Sequence, residues 1–93
     1  MKSALEDSSP PEGMTLEAEA VWHVKAGNWQ VSHDIAQDLP GKLGSWIHAH
    51  LHLIEGDRGN AGYWYARAGR PAREPDEIEA EWRELAAAVL SAS

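Results

Sequence analysis

The sequence predicts an all-α fold of about five short helices, paired into two antiparallel hairpins and completed by an amphipathic C-terminal helix. Three observations predict it. Apolar residues recur at i, i+3 and i+4 along most of the chain. Glycine and proline interrupt that pattern at Gly27, Pro40, Gly41, Gly56, Gly69 and Pro71. The five tryptophans, in a chain without phenylalanine, fall one per candidate helix, so each helix is expected to bring one indole to a shared core.

Ninety-three residues make a single domain. Residues 1–14 are polar and acidic with Ser8, Ser9, Pro10 and Pro11, too poor in apolar surface to offset the entropy of ordering, and are expected to form a disordered N-terminal tail. The helical domain is then 15–93. Thr15 is placed to cap a first helix to about Ala26, with Leu16, Ala20 and Val24 on one face and Gly27 as its stop. Over 15–31 a β-hairpin is the alternative, because Trp22 and Val24 alternate with His23 and Lys25 ahead of Gly27 and Asn28.

Asn28 opens a second helix to about Asp38, with Ser32, Ile35, Ala36 and Leu39 on one face, and Pro40 with Gly41 ends it. A third helix spans about Leu43 to Glu55 and stops at Gly56. Asp57 caps a fourth to Ala68, closed by Gly69 and Pro71. Pro75 suits a first helical turn, after which Ile78, Trp82, Leu85 and Val89 form an apolar stripe. Glu77, Glu79, Glu81 and Glu84 are expected on the solvated side of that last helix.

A net charge of −7 with only eight Lys and Arg excludes the basic patch that nucleic acid or an anionic membrane requires. Arg67, Arg70 and Arg73 are the one basic cluster. Without cysteine there is neither a disulfide framework nor a thiolate site. No run approaches the length of a membrane span, and Met1 to Gly13 lacks the apolar core of a signal peptide, so a soluble cytoplasmic protein is expected.

Gly27, Asn28, Ser32 and Ala36 recur as Gly56, Asp57, Ala61 and Tyr65, repeating a turn, a cap and a packing spacing. The second copy, with Tyr65 followed by Ala68, resembles the second half of a tetratricopeptide or Sel1-like repeat. That resemblance implies helical hairpins in which small residues allow close approach and an aromatic fills the gap, with the last helix acting as the cap. Trp46 to His52, followed by Glu55, Asp57, Asn60, Ala61, Tyr63 and Trp64, also resembles a family of small bacterial and fungal proteins. Its pattern is Trp-His-x-x-x-His and then Glu-x-Asp-x-x-Asn-Ala-x-Tyr-Trp; here Ile47 intervenes between Trp46 and His48. This second resemblance implies no activity, only that the stretch is a unit.

Three of the five histidines fall on the third helix. His50 lies in the middle of its apolar arc and is expected to be a neutral core histidine with one ring nitrogen bonded to a neighbour. His48 and His52 project together at i, i+4, and Glu55 extends the stripe. Two imidazoles and a carboxylate suit Zn²⁺ or Fe²⁺, and His33 could add a third nitrogen from the preceding helix. The general-base glutamate of His-Glu-x-x-His is absent, since Ala49 follows His48, and no residue is assigned as a metal ligand from the sequence. The simplest alternative is a polar helix edge bonded to neighbouring helices or water.

On the fourth helix Asn60, Tyr63 and Arg67 share a face. Together with His33, His48, His52 and Glu55 they could line a groove for a small polar or anionic ligand. Alternatively Arg67 stacks on Tyr63 at the surface and Asn60 supports the Asp57 cap. No Ser stands on a nucleophile elbow and no glycine loop has phosphate-binding spacing, so neither a reaction nor a cofactor follows from the sequence. The leading expectation is a helical-repeat module that binds a protein segment or another copy of itself. The alternative is a small-ligand, metal or enzymatic site centred on His48, His52 and Glu55.

Overall fold

The computed structural model describes residues 10–92, and these contain five α-helices and no strand. The helices are α1 (Leu16–Lys25), α2 (Trp29–Ala36), α3 (Gly41–Ile54), α4 (Arg58–Ala68) and α5 (Ile78–Ala92), with a single 3₁₀ turn at Pro75–Glu77 ahead of α5. Most of the expected N-terminal tail falls on residues 1–9, outside the described residues, while Met14 packs against the core. Among the described residues no helix is long and apolar enough to cross a membrane.

The helix boundaries have local causes. Thr15 Oγ1 accepts from the Ala18 N–H at 3.1 Å and fixes the start of α1, so the hairpin alternative over 15–31 is not what the chain adopts. Asn28 occupies the N-cap of α2 but makes no side-chain capping bond; its amide donates instead to His23 Nδ1 at 3.1 Å. Asp57 caps α4 by accepting from the Asn60 N–H, and Gly69 ends it in the left-handed conformation at φ 72°. Glu77 reaches back to the Glu74 N–H at 2.9 Å in a capping box that launches α5.

α1 pairs with α2 and α3 with α4, while α5 lies across α1 and α3. Ser32 Oγ donates to the Ala20 carbonyl at 2.7 Å, locking α2 against α1. Gly44 is buried where a Cβ would sit 2.7 Å from Leu39 Cβ and 2.8 Å from its carbonyl oxygen, so only glycine allows the α2–α3 turn to fold this closely onto α3. Three indole N–H groups bridge helices: Trp29 to the Leu51 carbonyl, Trp46 to Glu81 and Trp82 to the Val21 carbonyl.

α3 is the central element. Every residue from Trp46 to Leu53 is buried, so this helix is covered on all sides by α1, α2, α4 and α5. A helix enclosed in this way has no solvated stripe. Its three histidines therefore all lie in the interior, two facing one way and one the other.

Candidate functional site: a three-histidine cluster

His48 and His52 sit one turn apart on α3 and face α2 and α4, while His33 meets them from the last turn of α2. One ring nitrogen from each of the three lies within 4.8 Å of the other two. His33 Nε2 and His48 Nε2 are 3.0 Å apart, a hydrogen bond in which one ring carries the proton. His48 and His52 are 6% and 7% exposed, so the cluster lies just beneath the surface.

Two tryptophans hold the rings. Trp29, four residues before His33 on α2, stacks on it with centroids 4.9 Å apart and planes 13° apart. Its indole N–H anchors that stack to α3 through the Leu51 carbonyl. Trp64 of α4 covers His48 at 3.9 Å and 12°. Glu55, just past the end of α3, accepts from His52 Nδ1 at 2.5 Å, which turns the other nitrogen of that ring away from the carboxylate.

The electrostatics favour an uncharged His48. Burial, reinforced by the proximity of His33 and His52, pulls the His48 pKa down to about 4, so at neutral pH its ring is uncharged and one of its two nitrogens can offer a lone pair. His33 Nδ1 is buried with no hydrogen-bond partner. A buried polar atom without a partner costs about 1–3 kcal/mol, and in a native interior it needs an explanation.

Of the residues singled out from the sequence, His33, His48, His52 and Glu55 are thus brought together. Asn60, Tyr63 and Arg67 are placed otherwise. Asn60 is exposed and donates to Asp57 through both its backbone N–H and its side-chain amide. Tyr63 is 55% exposed, and Arg67 donates to its hydroxyl at 3.4 Å. Arg67 also lies over the Trp64 ring at 5.4 Å, which leaves it one ring removed from His48. Trp29 and Trp64, absent from the sequence-derived set, are the walls. The spacing of Trp29 and His33 carried the first signal, because i and i+4 side chains meet on a helix; nothing local connects Trp64 to His48.

The opposite side of α3 corrects one expectation. Glu81 is not on the solvated side of α5: it is fully buried. Its carboxylate accepts from His50 Nδ1 at 2.7 Å, Tyr65 Oη at 2.6 Å and Trp46 Nε1 at 2.9 Å, with Arg73 at 3.9 Å. Burial alone would push its pKa up, but these donors outweigh burial and hold it below the ordinary glutamate value. Burial and the bond to Glu81 push the Tyr65 phenol well above its usual value, so it stays a donor. Arg70 lies 3.4 Å from the Trp46 ring centre and Arg73 bonds Glu77 and Glu84, so two of the three basic residues in the cluster serve the fold.

No family model, curated protein or solved structure matches this chain.

Proposed function

We propose that this chain is a metal-binding domain that holds one divalent transition-metal ion, such as Zn²⁺, on His33, His48 and His52. The observation that carries the reading is the convergence of three ring nitrogens from two helices within 4.8 Å of one another. Donors about 2.0–2.1 Å from a tetrahedral ion lie roughly 3.3–3.4 Å apart. The 3.0 Å between His33 and His48 is close to that, and the third ring, within 4.8 Å of both, would have to move closer.

Further support comes from the setting. The stacked tryptophans and the Glu55 bond orient the rings, as partners of metal-bound histidines do. Among the described residues no fourth side chain joins the three imidazoles. An ion held there would keep at least one position for water or a small anionic ligand, as three-histidine zinc sites do.

Chelator-treated, untagged protein titrated with Zn²⁺ in a calorimeter tests this reading. One ion per chain is expected, with His33→Ala, His48→Ala and His52→Ala each weakening binding at least about 100-fold, equivalent to roughly 2.7 kcal/mol. No heat of binding, together with sub-stoichiometric Zn, Fe, Ni and Mn in the protein as purified, would overturn it.

A second reading draws on a different surface. Leu16 and Val31, 57% and 45% exposed, flank a groove with Ile35, Leu39, Asp34 and Asp38 where α1 meets α2. Such a groove suits the helical-repeat module anticipated above, binding a protein segment or a second copy of the chain. Light scattering after size exclusion is its test: a concentration-dependent dimer abolished by Val31→Lys supports self-association, and a strict monomer at high concentration removes it.

A further inference from the structure

The charge of the α1–α2 hairpin is one-sided. Residues 10–40 carry five carboxylates, on Glu12, Glu17, Glu19, Asp34 and Asp38, against a single Lys or Arg, which is Lys25. That cation lies against α5, its ammonium 5.1 Å from the centre of the Trp82 ring. Among the described residues none of the five carboxylates forms an ion pair with Lys or Arg. Asp34 accepts from the neutral Gln30 amide at 2.9 Å, which leaves its charge unmatched.

The groove where α1 meets α2 encloses about 300 Å³ within this acidic hairpin. Leu16 from the first turn of α1, Val31 and Ile35 of α2, and Leu39 just past the end of α2 give it aliphatic surfaces. Ile35 and Leu39 pack partly on the core, whereas Leu16 and Val31 are left exposed. Asp34 and Asp38 line the same groove and are exposed as well. Val31, Asp34, Ile35, Asp38 and Leu39 stand at i, i+3, i+4, i+7 and i+8, so aliphatic and acidic groups share one stripe along α2 and the turn that follows it.

We infer that the occupant of this groove is a short basic amphipathic segment of another protein, with its apolar side chains on the aliphatic surfaces and its Lys or Arg on Asp34 and Asp38. The inference rests on the reading of the groove as a protein-docking surface and commits that surface to one partner. Charge complementarity carries the choice: the aliphatic groups supply apolar area to bury, and the unmatched carboxylates beside them select cations and repel anions. A second copy of this chain is the wrong occupant. Two-fold pairing through the groove would set Asp34 and Asp38 against the same residues of the other copy, in a chain whose net charge is already −7.

The test titrates the full chain into two fluorescein-labelled peptides of about 14 residues, one with leucine at i, i+3, i+4 and i+7 and lysine elsewhere, the other with glutamate in place of lysine. Anisotropy is read at about 0.15 M salt, where attraction between exposed charges beyond roughly 8 Å is screened. The lysine peptide is expected to bind saturably and the glutamate peptide not to bind. Asp34→Asn with Asp38→Asn should weaken the lysine peptide at least about 3-fold, and Leu16→Ser with Val31→Ser at least about 10-fold. All four changes are at exposed positions, and circular dichroism checks that each variant stays helical. Asp76→Asn with Glu79→Gln removes two exposed carboxylates around the start of α5 and should leave the affinity within error. Four outcomes overturn the inference: no binding of the lysine peptide, equal binding of the glutamate peptide, undiminished binding in either groove variant, or as large a loss in the Asp76 and Glu79 variant as in the Asp34 and Asp38 variant. Binding of the glutamate peptide, or a dimer abolished by Val31→Lys, would keep the docking reading while ending this inference; no peptide binding together with a strict monomer would end both.

Discussion

The two sides of α3 present the same side chain in opposite circumstances. Toward α5, His50 meets a buried carboxylate that gathers three donors, its Nδ1 among them, while its own Nε2 is buried without a partner. Toward α2 and α4, His33, His48 and His52 meet each other, with one partly exposed carboxylate at the rim and one buried nitrogen left over. The Glu81 network is closed around its anion and ties α3, α4 and α5 together. The three-histidine cluster has an excess of lone pairs and no buried counter-charge. A buried carboxylate supplied with three donors ties its helices together, whereas facing imidazoles with spare lone pairs suit an electron-pair acceptor.

That contrast predicts that the two sides respond differently to mutation. The largest effect should come from Glu81→Ala, which leaves His50, Tyr65 and Trp46 with unpaired buried donors; loss of a buried charged partner costs about 3–5 kcal/mol. Urea unfolding followed by circular dichroism measures it, and a loss below about 1 kcal/mol would contradict the role given to this network. The folded-state pKa of Glu81 lies below its unfolded value, so its contribution is fully present above the ordinary glutamate range and disappears as pH falls through the folded value. Stability should therefore decline on acidification, and the decline should be shallower in Glu81→Gln.

Tyr65→Phe removes one of the three donors and should cost about 1.5–3 kcal/mol, as hydrogen bonds to charged groups do. Zinc affinity in that variant should be unchanged, which a calorimetric titration checks. Glu55→Gln should do the reverse. It loosens the orientation of His52 and should lower zinc affinity about 10–100-fold, with unfolding in urea shifted by no more than about 0.5 kcal/mol, as for most exposed positions. The smallest effect is expected for Tyr63→Ala, whose exposed ring contacts Arg67 and its neighbour Trp64: metal affinity and stability should both stay within error. A marked loss of metal affinity there would place the fourth helix's outer face in the site after all.

Much of the architecture was legible in the chain itself. Thr15, Asp57 and Gly69 are local signals whose physics lies within a few residues, and they stand where the helices begin and end. The i, i+4 pairing of His48 and His52 and the assignment of His50 to the interior also follow from helical geometry. Glu81 is buried against the expectation that its charge alone suggests. It lies three residues after Ile78 and four before Leu85, on the edge of the apolar stripe, and of the four glutamates considered it is nearest the centre of that stripe. The wheel carried the signal, but nothing local shows that donors from α3 and α4 await it.

By itself the sequence determined the helices, their caps and turns, and which histidines share a face, because these depend on backbone preferences and a 3.6-residue period. Only the tertiary structure decided that His33 reaches His48, that Trp64 covers His48, and that Glu81 is an interior anion. Those relations join residues 15 to 35 positions apart, and packing alone brings them within hydrogen-bonding distance. The same packing encloses α3 on all sides, so that the polar stripe read from its sequence becomes a buried site.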